Sequence, residues 1–319
     1  MISIVIPLYN KEDTIERAIN SVLAQSVSEW ELIVVDDGST DNGPKLVKQF
    51  DDPRIRLATQ TNAGVSSARN HGASLAKADV IAFLDSDDYW APEHLESVKR
   101  LVRQYPKASI YATAYFMVGE EGAVLKTRLR DEGPNSERVR VLDYFLDACG
   151  VDPPIQSSAV AVSKESLIKI GGFPSGINAG EDIITWARLA CIGDVAYSTR
   201  AAAFYVLPPI SVNRYQTIRR PQKPDYVATE LARLSKCHIR LRASLELYQG
   251  DWHRIRAMSF MELNDRKDSL MELREATYLS GLRLRDIASF AMLFLPFVWR
   301  TKLLARWRRR QFTVAVAMQ

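Results

Sequence analysis

The sequence is poor in the residues that build disulfide-held or zinc-held folds. Its three cysteines (Cys149, Cys191 and Cys237) are odd in number, scattered and without ligand spacing. That argues against a disulfide framework and points to a reducing, cytoplasmic setting. Long apolar runs are also missing. The best stretch, Ile287 to Trp299, has 13 residues, short of the roughly 20 that a spanning helix needs. The start lacks the basic-then-apolar layout of a secretory leader, because Ile2-Ser3-Ile4-Val5-Ile6 runs straight into Pro7. No Gly-x-Gly-x-x-Gly follows that first apolar run, which argues against a plain dinucleotide-binding fold. The turn present there, Leu8-Tyr9-Asn10-Lys11-Glu12, is not the glycine-rich basic loop that a sugar-phosphate nucleotidyltransferase would wrap around a triphosphate.

What is present is an ordinary globular composition, 47% hydrophobic and 25% charged over 319 residues, enough for a full α/β domain with about a hundred residues to spare. The charge is divided. Residues 1–212 carry 21 Lys and Arg against 28 Asp and Glu, and residues 213–319 carry 21 against 10. An acidic body thus precedes a basic region suited to an anionic surface. No nucleic-acid motif accompanies the basic charge, so nucleic acid is not expected as a partner.

Along the first part, apolar strands alternate with helical patterns. Ile2–Ile6, Trp30–Val35, Arg54–Ala58 and Val80–Leu84 read as strands, with helices between them. This alternation predicts a mostly parallel central sheet with helices on both faces. Two strands end in acidic turns, Asp36-Asp37-Gly38-Ser39-Thr40-Asp41 and Asp85-Ser86-Asp87-Asp88. Carboxyl ends of strands are where open α/β sheets bind ligands, and an Asp-x-Asp turn suits a hard divalent ion shared with a substrate's phosphates. Later stretches predict a helix opened by Pro92, a strand over Ser109–Val118 turning at Glu120-Glu121-Gly122, and a loop over 126–140 near an acceptor. A strand over Ile155–Val162, a Ser163-capped helix to Ile170 and a helix after Gly180-Glu181-Asp182 follow. Asp36 reads as a turn-capping group, Asp88 as an acid at a helix amino terminus, and His71 and His94 as surface or capping residues.

Four blocks in order resemble the inverting family-2 glycosyltransferases of the GT-A fold. They are Val5-Ile6-Pro7-Leu8-Tyr9-Asn10, Val34-Val35-Asp36-Asp37-Gly38-Ser39-Thr40-Asp41, Asn62-Ala63-Gly64 with Ala68-Arg69-Asn70, and Phe83-Leu84-Asp85-Ser86-Asp87-Asp88. The resemblance implies that Pro7, Tyr9 and Asp37 frame the nucleotide base and that Asp85 lies by the ribose or donor sugar. It further implies that Asp87 coordinates Mn²⁺ or Mg²⁺ under the diphosphate and that Arg69 reaches the diphosphate. Gly171-Gly172-Phe173-Pro174 and Gly180-Glu181-Asp182 are similar to the family's later blocks, which implies Asp182 as the catalytic base and Glu181 as its neighbour or acceptor-binding partner, the two assignments being exchangeable. One departure stands out. Where many members carry a histidine that helps hold the metal, this chain has Pro208.

The expected activity is metal-dependent, inverting transfer of one sugar from a nucleotide-sugar, a UDP-sugar first, to a glycan or lipid-linked acceptor in cell-surface polysaccharide synthesis. The rivals are a catalytically silent nucleotide-sugar-binding scaffold and a nucleotidyltransferase. The expected organisation is a GT-A domain over 1–212, a helical region over 213–285 with helices Val227–Leu247 and Trp252–Leu282, and an apolar and basic segment over 286–319. In that last segment Arg300, Lys302, Arg306 and Arg308 to Arg310 follow Ile287–Trp299. It reads as an anchor on an anionic membrane surface, placing the protein in the cytoplasm and peripherally on the membrane's cytoplasmic face.

Overall fold

The structure is a computed structural model that describes residues 1–119, 122–129, 138–149, 152–177, 179–207, 220–297, 299–300 and 303. It divides into two compact units, 1–208 and 209–319.

The first unit is built on one sheet. Strands β1 (Ile2–Leu8) and β2 (Trp30–Asp36) are buried at every position, which is why both read as unbroken apolar runs rather than alternating ones. With β3 (Ile55–Thr59) and β4 (Val80–Phe83) they form a parallel half in the order β3-β2-β1-β4. Helix α1 (Ile15–Leu23) covers one face through Ile15, Ala18, Ile19 and Val22, which join Ile4, Ile6 and Leu8 in the core. After the short α2 (Gly43–Val47), helix α3 (Val65–Leu75) covers the other face. It lies so close that a Cβ on Gly72 would come within 2.4 Å of Val5 Cγ1.

The other half is mixed. Strand β9 (Val160–Ser163) runs antiparallel between β4 and β6 (Ile110–Val118), and β10 (Val195–Val206) is parallel to β6. Three short strands, β5 (Tyr89–Trp90), β7 (Val124–Lys126) and β8 (Val139–Val141), pair antiparallel at its margins. Among the described residues six of the ten strands, β1 to β4, β6 and β10, run in one direction as expected, while the four reversed strands make five of the nine pairings antiparallel and the sheet mixed. The βα alternation that enforces parallel pairing stops after β4, because β4 is followed at once by the acidic turn and β5. The expected strand over Ile155–Val162 is a 3-10 turn, Ser157–Ala159, that enters a shorter β9. Helices α4 (His94–Gln104), α5 (Tyr144–Ala148), α6 (Lys164–Lys169) and α7 (Glu181–Ile192) complete the unit. Ser163 caps α6 as its sequence predicts, its Oγ accepting from Ser166 N. Gly133-Pro134-Asn135 and Pro208 lie outside the described residues.

The second unit is helical, with α8 (Tyr226–Cys237), α9 (Arg242–Glu262), α10 (Arg266–Ser280) and α11 (Leu284–Leu293). The two long helices expected here are each interrupted. A 3-10 turn at Ile239–Leu241 divides the first, and Asn264, in the left-handed region at φ 60°, ends α9 inside the second. Leu293 packs with Ala257, Met261 and Leu273, so α11 shares a core with the helices before it. Among the described residues no helix is long and apolar enough to cross a membrane.

Candidate active site

The first two blocks are joined to each other. At the end of β1, Asn10 Oδ1 accepts from Thr40 N at 2.8 Å, Glu12 N donates to Asp41 Oδ2 at 2.8 Å, and Asp37 N donates to Leu8 O at 2.8 Å. Pro7 is buried beneath this surface, and Tyr9 projects from it, 48% exposed. Asp36 accepts from Ser39 N and so caps its own turn. Asp37, expected to receive a base edge, is 4% exposed. Its Oδ1 accepts from Gln60 Nε2 and Ala63 N at 2.8 Å each, and Oδ2 accepts from Gly64 N at 2.9 Å. That carboxylate ties the second block to the third, a physical reason for the two motifs to occur together.

The Asp-x-Asp turn at the end of β4 separates its three carboxylates by role. Asp87 is half-exposed, and its Oδ2 is paired with Lys11 Nζ at 2.7 Å. Asp85 is a quarter exposed and accepts from Arg69 Nη2 at 2.7 Å. Asp88 points the opposite way and is fully buried, which corrects its reading as a helix-terminal acid, since β5 follows it directly. Asp88 Oδ2 accepts from Ser158 Oγ at 2.5 Å and Oδ1 accepts from Val206 N at 2.8 Å. Ser158 Oγ in turn accepts from Asp85 N at 3.0 Å. Burial, then the neighbouring Asp85, pushes the Asp88 carboxyl up to about 7. Asp88 and Ser158 therefore hold the turn against β9 and β10, and nothing in the local sequence signals either role. His94, expected as a surface or capping residue, is instead buried in the first turn of α4 and stacked on Trp90 at 4.3 Å, and burial pushes its imidazole down to about 3.

Glu181 and Asp182 open α7 behind Gly180, whose φ of +86° is a left-handed conformation that glycine adopts without steric cost. Arg69 joins this pair to the Asp-x-Asp turn. Its side chain is 4% exposed, with Nη2 on Asp85 and Nη1 3.5 Å from Glu181 Oε1. The guanidinium lies over the Phe173 ring at 5.3 Å. Arg69, expected to reach the diphosphate, is buried among carboxylates and offsets charge that burial would otherwise make costly. The seat under Arg69 comes from the later glycine block. Asn70 Oδ1 accepts from Phe173 N and Asn70 Nδ2 donates to Phe173 O, both at 2.8 Å, and the Phe173 ring packs edge-on against Phe83 and Trp186. Asp182 Oδ1 accepts from Ile183 N at 2.8 Å. Burial pushes the carboxyls of both Asp182 and Glu181 above the usual range, against the opposing pull of Arg69.

A hard divalent cation fits the turn. Asp87 offers a half-exposed carboxylate already facing a cation, the Lys11 ammonium, and oxygen donors suit Mn²⁺ or Mg²⁺. Among the described residues, one further group has ligand spacing, Asp225, His253 and Glu272 in the helical unit. There Arg256 Nε lies 2.9 Å from Asp225 and 2.8 Å from Glu272, so the group is an ion-pair network whose charge is already met. Lys11, Gln60, Asn70 and Ser158 are site residues that motif reading misses. Of these, only Asn70 lay inside a recognised block.

Known proteins resemble this chain in sequence and in fold. Residues 3–150 match the sequence profile of glycosyl transferase family 2. The putative teichuronic acid biosynthesis glycosyltransferase TuaG of Bacillus subtilis is 31% identical over 240 residues, covering 73% of this chain and 89% of TuaG. The UDP-Glc:alpha-D-GlcNAc-diphosphoundecaprenol beta-1,3-glucosyltransferase WfgD of Escherichia coli is 47% identical over 97 residues, which are 30% of this chain and 38% of WfgD. Among solved structures, the mannosyltransferase PcManGT of Pyrobaculum calidifontis, in complex with GDP-Man and Mn²⁺, superposes with a TM-score of 0.58. It is 19% identical and covers 99% of this chain and 86% of its own. The fold is thus that of the GT-A glycosyltransferases, and the chain belongs to glycosyl transferase family 2.

Proposed function

We propose that this glycosyltransferase is metal-dependent and inverting, and that it moves one sugar from a UDP-sugar to a glycan or lipid-linked acceptor during assembly of a cell-surface polysaccharide. One observation carries the reading: the buried Arg69 guanidinium bridges Asp85 of the Asp-x-Asp turn and Glu181 of the acidic pair. Donor-side and acceptor-side carboxylates thereby meet at one end of the sheet. UDP and a lipid-linked acceptor are the terms in WfgD's name, and Mn²⁺ accompanies a nucleotide-sugar in PcManGT.

The divalent ion, when bound, supplies positive charge to the diphosphate as it departs. The chain's own residues do the rest. Asp182 takes the proton of the acceptor hydroxyl while the hydroxyl oxygen attacks the anomeric carbon, and the bond from that carbon to the diphosphate breaks with its electron pair leaving on the diphosphate. Glu181, steadied by Arg69, orients the acceptor. Lys11 exchanges its contact with Asp87 for the diphosphate, adding a second cation where charge accumulates. Tyr9 and the buried Pro7 surround the base.

The test is Asp182→Asn, assayed for UDP-sugar binding by calorimetry with Mn²⁺ and for sugar transfer to lipid-linked acceptors. Binding should persist while transfer falls by about 10²–10⁴-fold. Transfer at the unmutated rate would remove Asp182 from the base role, and a wild-type chain that binds a UDP-sugar without turnover on any acceptor would favour a silent scaffold.

A further inference from the structure

Helix α11 is amphipathic with its apolar side outward. Its one acidic residue, Asp286, is 1% exposed and accepts from Arg254 Nε at 2.8 Å, Arg254 Nη2 at 2.7 Å and Arg283 N at 2.9 Å. These bonds fix which side of the helix faces the unit. The outward side carries Leu284, Ile287, Ala288 and Ala291, spaced as one helical stripe and all exposed. Leu284 is 87% and Ile287 52% exposed, and the stripe continues into Phe294 at 85%. Trp299 is exposed further on. A stripe with this spacing faces a core in an ordinary surface helix, so its exposure calls for an apolar medium outside the unit.

The charge beside the stripe is positive. Arg254, Arg283 and Arg285 share two carboxylates, Asp251 and Asp286, and Arg285 remains about half exposed. In sequence, residues 283–310 contain eight Lys and Arg, of which Lys302, Arg306, Arg308, Arg309 and Arg310 lie outside the described residues, against one Asp. Arg300 leaves the exposed set that the sequence suggested, because its side chain is buried against Phe297 and donates to Asn264. A second copy is a poor occupant. Two-fold pairing of this face would set each arginine cluster near its own mate, at an electrostatic cost.

We infer that the Leu284–Phe294 face binds the surface of an anionic phospholipid bilayer. Helix α11 lies in the plane of the interface, its stripe sinks among the acyl chains, and the flanking arginines meet the headgroup phosphates. The inference stands apart from the transfer reading, because it uses none of the sheet-end residues.

The experiment is co-sedimentation of the full chain with vesicles of phosphatidylcholine alone, or mixed with phosphatidylglycerol. The expected result is binding to the anionic vesicles at least about tenfold tighter than to neutral ones, weakening as salt is raised. The double variant Ile287→Ser with Phe294→Ser should lose most of it, about tenfold or more. Since both side chains are exposed, its melting midpoint and its UDP binding should be unchanged. Asp182→Asn should sediment like the unmutated chain, so failure of the transfer reading cannot be confused with failure here. Equal binding to neutral vesicles, no binding to either, or a double variant that sediments normally would overturn the inference. So would a change in oligomeric state in the double variant without any vesicle binding by the parent.

Discussion

Replacing Gly172 by alanine should damage the seat under Arg69 without touching a charged residue. Gly172 has φ +74°, and a Cβ there would stand 2.5 Å from Asn70 Oδ1 and 3.1 Å from its Cγ. The Asn70 side chain cannot stay where it is. It is held by two 2.8 Å hydrogen bonds to the Phe173 backbone, worth about 1 kcal/mol each. The left-handed backbone conformation adds about 1–2 kcal/mol for a residue with a Cβ. The loss is therefore about 3–4 kcal/mol, which for a unit of this size lowers the melting midpoint by roughly 10 °C. Urea denaturation followed by tryptophan fluorescence measures it, because Trp186 packs on Phe173. A double-mutant cycle separates the two causes. In an Asn70→Ala background, Gly172→Ala should cost only the backbone part, about 1–2 kcal/mol. A single-mutant loss below about 1 kcal/mol, or full additivity in the cycle, would refute the reasoning.

Three other outcomes follow from the site. Lys11→Met removes the cation from Asp87 and should tighten Mn²⁺ binding up to about fivefold, the range of a half-exposed ion pair; calorimetry without nucleotide, where Lys11 still pairs with Asp87, reads it, and unchanged or weaker binding would contradict it. Ser158→Ala leaves buried Asp88 and the Asp85 amide each short of a partner and should destabilise the chain by about 1–3 kcal/mol in chemical denaturation; a loss under half of the lower figure would mean that water replaces the hydroxyl. The acid limb of kcat/KM should lie above the ordinary aspartate value of about 3.9, because burial raises Asp182 and the base must be ionised to act. Activity should then fall as pH drops through that raised value and be full above it, and a limb at or below the ordinary value would argue against Asp182.

What the sequence revealed and what it hid divide along local and distant interactions. Strands β1, β2 and β4 were legible because burial on both faces leaves an apolar run, and the cap at Ser163 because its partner is three residues away. The 3-10 turn at Ser157–Ala159 was not, since Ser-Ser-Ala-Val-Ala-Val has the composition of a strand. What bends it is Gln156 on the Ser158 amide and Asp88 on the Ser158 hydroxyl. Asp88 beside a coming helix looks like a capping acid, yet its partner Val206 is 118 residues away. Asp36 and Asp37 are adjacent and alike in sequence, and only the course of the 60–64 turn decides that Asp37 receives three donors and Asp36 one. Arg69 was recognisable as a site residue from its block. Its burial depends on Phe173, fixed by a contact 103 residues distant.

The position of β9 bears on how the chain can be synthesised and cut. Its four residues emerge from the ribosome after β1 to β8 but fill a slot in the middle of the sheet, between β4 and β6. Until residue 163 is available, both neighbours present open hydrogen-bonding edges, the condition under which nascent chains pair with one another. A fragment ending at residue 150, where the family match ends, would keep the Asp-x-Asp turn and the three blocks before it and still lack the strand between β4 and β6. Such a fragment should aggregate during expression, and adding the chain back to Val206 should make it soluble.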